Sequence, residues 1–149
     1  MPQGKWDGGD LRAFREMHIK NHQLSRLLIH SLTSLLNGLF YTDTSAMHPY
    51  EPVGCFKDKR NPRALPLSIG EYSLNETDLA NSFADIIQAC ASEVYEIGFW
   101  YFGVEHRREC WTGVHGDKTY NRHGQSDNCL WSYSVGGYWT IFVYRFVEG

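Results

Sequence analysis

The 149-residue chain has a formal net charge of −3, with 42% hydrophobic and 21% charged residues. That balance is globular, having neither the charge excess nor the apolar poverty of a disordered chain. It also lacks the basic footprint that phosphate binding needs, which argues against a nucleic-acid partner.

The chain divides near Ala46. Residues 1–46 hold five Lys/Arg against four Asp/Glu, and residues 47–149 hold nine against thirteen. In the first part Leu11, Phe14, Ile19, Leu24, Leu27, Leu28, Leu32, Leu35, Leu36 and Leu39 give a partial helical stripe, interrupted by His18, His22 and His30. Two readings stay open. Leu27–Tyr41 can serve as the apolar region of a signal-like segment, with Arg26 upstream and Thr44-Ser45-Ala46 as a small-residue cleavage site. Alternatively it is an amphipathic helix. A stable membrane span is not expected, because no uninterrupted run of about 20 apolar residues occurs.

Residues 47–149 read as one domain. Val53–Lys57 is a short strand, ended by the turn signal Asp58-Lys59-Arg60-Asn61-Pro62. Arg63-Ala64-Leu65-Pro66 leads into a loop, and Asn75-Glu76-Thr77-Asp78 offers N-cap oxygens to a helix over 78–96. Leu79, Phe83, Ile86, Ile87, Cys90 and Val94 share one face of that helix, and Gly98 is its C-terminal stop. Phe99–Glu105 reads as a buried strand, His106-Arg107-Arg108 as a turn and Glu109–Gly113 as the partner strand. Residues 114–137 are loop-rich. A final strand, Tyr138–Phe146, is apolar on both faces and therefore central or covered by a helix. The expected class is α+β: a small, mostly antiparallel sheet packed by one main helix and stabilised by disulfides.

The four cysteines, Cys55, Cys90, Cys110 and Cys129, form no CxxC pair and match no zinc spacing. An even count spread over separate elements implies disulfides and an oxidising, extracellular compartment. Three connectivities are open at this point. No cofactor is indicated; His106, His115 and His123 read as solvated loop histidines, not metal ligands. No pair of acids has a spacing that marks a general acid and base, so the expected protein is not an enzyme. Asn75-Glu76-Thr77 is a glycosylation sequon in a turn, which marks Asn75 for modification in a secreted protein.

Several short motifs occur in an order that resembles a WSC-type domain, the module of fungal cell-wall stress sensors and of some animal extracellular and membrane proteins. Gly54-Cys55-Phe56-Lys57-Asp58 is similar to its opening, with Arg63-Ala64-Leu65 following and Cys90 on the helix. Tyr101–Glu105 and Glu109-Cys110-Trp111-Thr112-Gly113 look like its aromatic-Gly strand and cysteine hairpin. Val135-Gly136-Gly137-Tyr138-Trp139 through Val143-Tyr144-Arg145 looks like its ending. Thr112 and Val135 stand where the family usually has cysteines, so the chain resembles a four-cysteine variant, as in repeated domains of invertebrate secreted and matrix proteins.

The resemblance covers about residues 50–146 and implies a helix-over-sheet fold of the PAN/apple kind, binding carbohydrate. On that footing Cys90 is expected to pair with Cys110, leaving Cys55 for Cys129. A sugar site needs an aromatic platform for the C–H face of a pyranose, and planar polar groups for its hydroxyls. Trp111, Tyr120, Trp131, Tyr133 and Tyr138 are the loop-borne aromatics, with Trp111 and Tyr120 the leading candidates. Asp58, Arg63, Glu105, Asn128 and Arg145 are the polar candidates, while Trp100, Phe102, Trp139 and Phe142 read as core. The expected partner is a polysaccharide or a glycoprotein glycan; the rival reading is a structural or protein-interaction domain of an extracellular matrix or defence protein.

Overall fold

The computed structural model describes residues 48–148. The expectation of a signal-like or helical segment over 1–46 falls outside the described residues. Strands β1 (Tyr50–Lys57), β2 (Leu67–Glu71), β3 (Tyr101–Glu105), β4 (Glu109–Thr112) and β7 (Thr140–Phe146) form one antiparallel sheet in the order β1-β7-β3-β4-β2. Helix α1 (Leu79–Glu96) packs on one face, a short helical turn α2 (Gly116–Thr119) lies beyond the β3–β4 hairpin, and β5 (Cys129–Leu130) pairs with β6 (Val135–Gly136). The fold is α+β, as its patterning implies.

Strand β7 sits between β1 and β3, which explains why the final strand is apolar on both faces. Phe142, Tyr144 and Phe146 join Phe102, Val104 and Cys110 beneath Phe83, Ile86, Ile87, Cys90 and Val94 of α1. Each fully buried side chain of this size contributes about 1.5–3 kcal/mol. The Tyr144 hydroxyl donates to the Ser134 carbonyl at 2.5 Å, so its one polar atom is satisfied and burial pushes its pKa up. Helix α1 stops where Gly98 takes φ +82°, with its N–H on the Tyr95 carbonyl at 3.0 Å.

On the opposite face Phe56, Ala64, Leu65, Ile141 and Val143 form a smaller core. It is covered by residues 58–66, whose backbone is held by Asp58: its Oδ1 accepts from the N–H groups of Lys59 at 2.8 Å and Ala64 at 2.7 Å. Turn α2 joins this cover, the Thr119 hydroxyl donating to the Ala64 carbonyl at 2.6 Å.

Two disulfides close the fold, Cys55–Cys129 and Cys90–Cys110. The expected pairing holds. Cys90 on the buried face of α1 meets Cys110 on β4, and Cys55 on β1 meets Cys129 on β5.

Several boundaries differ from the sequence reading. Strand β1 begins at Tyr50, three residues early, and an additional strand β2 occupies the expected loop after Pro66. Strand β3 begins at Tyr101, two residues late, because the Phe99 N–H still bonds back to the Val94 carbonyl of the helix end. Strand β7 begins at Thr140, after a left-handed residue at Trp139 (φ +52°) that breaks the extended run. Asp78 occupies the N-cap of α1 without a side-chain bond to the helix backbone. Its carboxylate instead accepts from the Asn81 side chain at 2.9 Å.

Candidate functional site

The sheet face away from α1 is covered at its centre by residues 58–66 and α2. Near one end lies a cluster built around Arg63; towards the other, by residues 100–101 and 145–148, lies an open groove.

The Arg63 cluster gathers four of the expected site residues, Asp58, Arg63, Glu105 and Trp111. Strand alternation puts Trp111 of β4 on this face, and the turn after β1 brings Asp58 and Arg63 over it. The Arg63 guanidinium lies 3.6 Å above the Trp111 ring centre and 5.6 Å from that of Trp139. It pairs with Asp58 at 3.0 Å and with Glu105. Trp111 Nε1 donates to Glu109 at 3.1 Å. Glu105 is 0% exposed, and one guanidinium faces two buried carboxyls. Burial, more than the negative neighbours Asp58 and Glu109 and against the pull of Arg63, pushes Glu105 up to about 8. Hydrogen bonding between the Glu105 and Asp58 carboxyls adds to the rise.

His106 extends the cluster. Its Nε2 accepts the Trp139 backbone N–H at 3.2 Å, and its Nδ1 faces Glu109 at 3.1 Å, so the ring proton belongs on Nδ1. Tyr138, 73% exposed, leans on the His106 ring at 5.1 Å. The Asn128 amide donates to the Tyr138 carbonyl at 3.2 Å.

The other expected residues lie apart. Tyr120 is half-buried, stacked on Tyr101 at 5.4 Å and edge-on to Phe56 at 5.0 Å. Trp131 is exposed but packs edge-on to Phe142, on the face that carries α1. Asn75 is exposed in the turn before α1. Among the expected residues, then, Asp58, Arg63, Glu105 and Trp111 interlock with one another, and one face of Trp111 is covered by Arg63.

The groove offers what the cluster does not. Trp100, expected in the core, is 52% exposed. It stands just before β3, and its backbone is fixed by the Phe146 N–H donating to its carbonyl at 3.0 Å. With Tyr101, Val114, Val147, Glu51, Asp117 and Arg145, among others, it lines an open depression of about 500 Å³. Arg145 pairs with Glu51 at 2.5 Å. Glu51 foremost, helped by the Tyr101 hydroxyl, raises the Arg145 pKa further, so this charge is permanent.

The groove depends on Gly116. A Cβ there would stand 2.6 Å from Cβ of Tyr101 and 3.3 Å from Cδ2 of Leu65, so only glycine lets α2 approach the floor. Gly116→Ala is expected to cost about 1–3 kcal/mol through overpacking, read as a lower denaturation midpoint in urea.

The described residues contain no cluster of His, Cys, Asp and Glu able to hold a metal ion, and no helix among them is long and apolar enough to cross a membrane. A scan against protein-family models matches none, and no curated protein matches the chain.

Proposed function

We propose that residues 47–149 act as an extracellular, non-catalytic carbohydrate-binding module of the WSC-like kind, with the Trp100 groove as its binding surface. The observation that carries this reading is the half-exposed indole of Trp100 at an open groove, with Glu51, Asp117 and Arg145 around it. An indole face takes the C–H side of a pyranose, while carboxylates and a guanidinium bond its hydroxyls in-plane. Two disulfides suit an oxidising setting. The order of the short motifs that resemble the WSC type supports the ligand class. Catalysis is not part of the proposal: all four cysteines are disulfide-bonded, and Glu105, the acid with the raised pKa, is sealed from any substrate.

Glycan-array screening followed by calorimetry on the best ligand tests this. Trp100→Ala is expected to weaken binding by about 2 kcal/mol, roughly thirtyfold, with unchanged thermal stability, and Trp100→Phe to recover part of it. Unchanged affinity in a folded Trp100→Ala protein would remove the groove from the reading. Silence on the array together with specific capture of a matrix protein would favour the interaction-domain alternative.

A further inference from the structure

We propose that Asn75 carries an N-linked glycan whose first sugar lies in the trough between residues 72–75 and helix α1. The chain contains one Asn-X-Ser/Thr sequence in which X is not proline, Asn75-Glu76-Thr77. Its folded geometry presents the acceptor atom. The Asn75 N–H donates to the Ser82 hydroxyl at 2.9 Å and its carbonyl accepts the Asp78 N–H at 3.2 Å, so the backbone is fixed. Oδ1 of Asn75 accepts both from the Thr77 N–H at 3.0 Å and from the Thr77 hydroxyl at 2.7 Å. The amide oxygen is thereby held against Thr77. Nδ2, the atom that bonds to sugar, has no partner among the described residues, and Asn75 is exposed.

The attachment point sits on the rim of a depression of about 470 Å³. Tyr72, Leu74, Ile86 and Ala89 give it apolar surface, and Asp78 and Asn81 place acceptors and donors along it. An N-acetylhexosamine has the matching chemistry, an apolar ring face and methyl group with hydroxyls at its edge. The occupant is tethered at the rim, so little translational freedom is lost on docking.

In the transfer, Nδ2 attacks the anomeric carbon of a lipid-pyrophosphate-linked oligosaccharide. The N–C bond forms as the C–O bond to pyrophosphate breaks, the lipid pyrophosphate leaves, and the amide proton passes to a base of the transferase. The inference rests on the extracellular setting and not on the Trp100 groove.

The test is expression of the full chain behind a cleavable secretory leader in a eukaryotic cell, followed by intact-mass and peptide analysis of the secreted, disulfide-bonded product. Expected are an added glycan mass and, after peptide N-glycanase, conversion of residue 75 from Asn to Asp. Asn75→Gln and Thr77→Ala should abolish the modification, whereas Thr77→Ser should keep it. Enzymatic removal of the glycan from the folded protein should lower the thermal midpoint by a few degrees, and should do so less in Ala89→Gln, which fills the trough. A secreted, oxidised product with unmodified Asn75 overturns the proposal. A glycosylated product whose midpoint ignores deglycosylation overturns the docking of the sugar. Trp100→Ala should remain glycosylated, which separates this site from the groove.

Discussion

Glu105→Gln is expected to abolish most of the pH dependence of stability between about pH 5 and pH 8 and to make the protein more stable than wild type above pH 8. In the folded chain Glu105 is fully buried and keeps its proton up to about pH 8, whereas the unfolded chain releases it near the ordinary glutamate value of 4.5. Between these values the native state binds more protons than the unfolded state, so raising the pH destabilises the fold. For a single group the slope approaches about 1.4 kcal/mol per pH unit. The contribution is complete below about pH 4.5, is lost as pH rises through about 8, and is flat beyond it. Ionising Glu105 sets a second buried negative charge beside Asp58 with only Arg63 to share. Glutamine cannot ionise; its amide can donate towards Asp58 and its carbonyl can accept from Arg63, so the cluster keeps its bonds. Urea denaturation at pH 5, 6.5, 8 and 9 measures this. Parallel profiles for wild type and variant would show that the pH dependence arises elsewhere.

This cluster marks the limit of what the sequence discloses. Asp58, Arg63, Glu105 and Trp111 are each recognisable as candidates, but nothing in their sequence positions groups them. That Arg63 would cover Trp111 is not recognisable. It requires Glu105, 42 residues away, to lie on the same face and hold the guanidinium over the ring. Helix α1 and strand β7 are plain because their apolar periodicity is long and their stops are strong. Strand β2 is not, for LSIGE is a short edge strand with a register shift between Ser68 and Gly70, and its alternation lasts only three residues. In the sequence Trp100 reads as part of the strand that follows it. Its exposure comes from the last bonds of α1 holding Phe99, which delay β3 by one further residue. A tryptophan directly after a helix-stop glycine and one apolar residue was the available signal, and only the tertiary arrangement of Arg145 and Asp117 turns it into a site.

Removing the Cys55–Cys129 bridge by paired substitution to alanine is expected to cost about 4.5 kcal/mol. Removing Cys90–Cys110 should cost about 3 kcal/mol from chain entropy alone, because the bridges span 74 and 20 residues and the constraint grows with the logarithm of the loop. Packing narrows the gap. Cys90 and Cys110 are both 0% exposed within the main core, so alanine at either leaves a void, whereas on the other bridge only Cys55 is buried there, at 3%, and Cys129 is half-buried. A void of a methyl group or two adds about 1 kcal/mol, which brings the two losses close together at a large share of the roughly 5–15 kcal/mol that holds a typical domain. The origins differ and can be separated. Valine at position 90 with alanine at 110 refills the void and should recover about 1 kcal/mol, while valine at position 55 with alanine at 129 should recover a smaller share of its loss, since most of what is lost there is restriction of the unfolded chain. Guanidinium unfolding of the four variants against the oxidised wild type measures each difference. Equal recovery by valine at both positions would mean that local packing, not loop closure, sets the worth of the Cys55–Cys129 bridge.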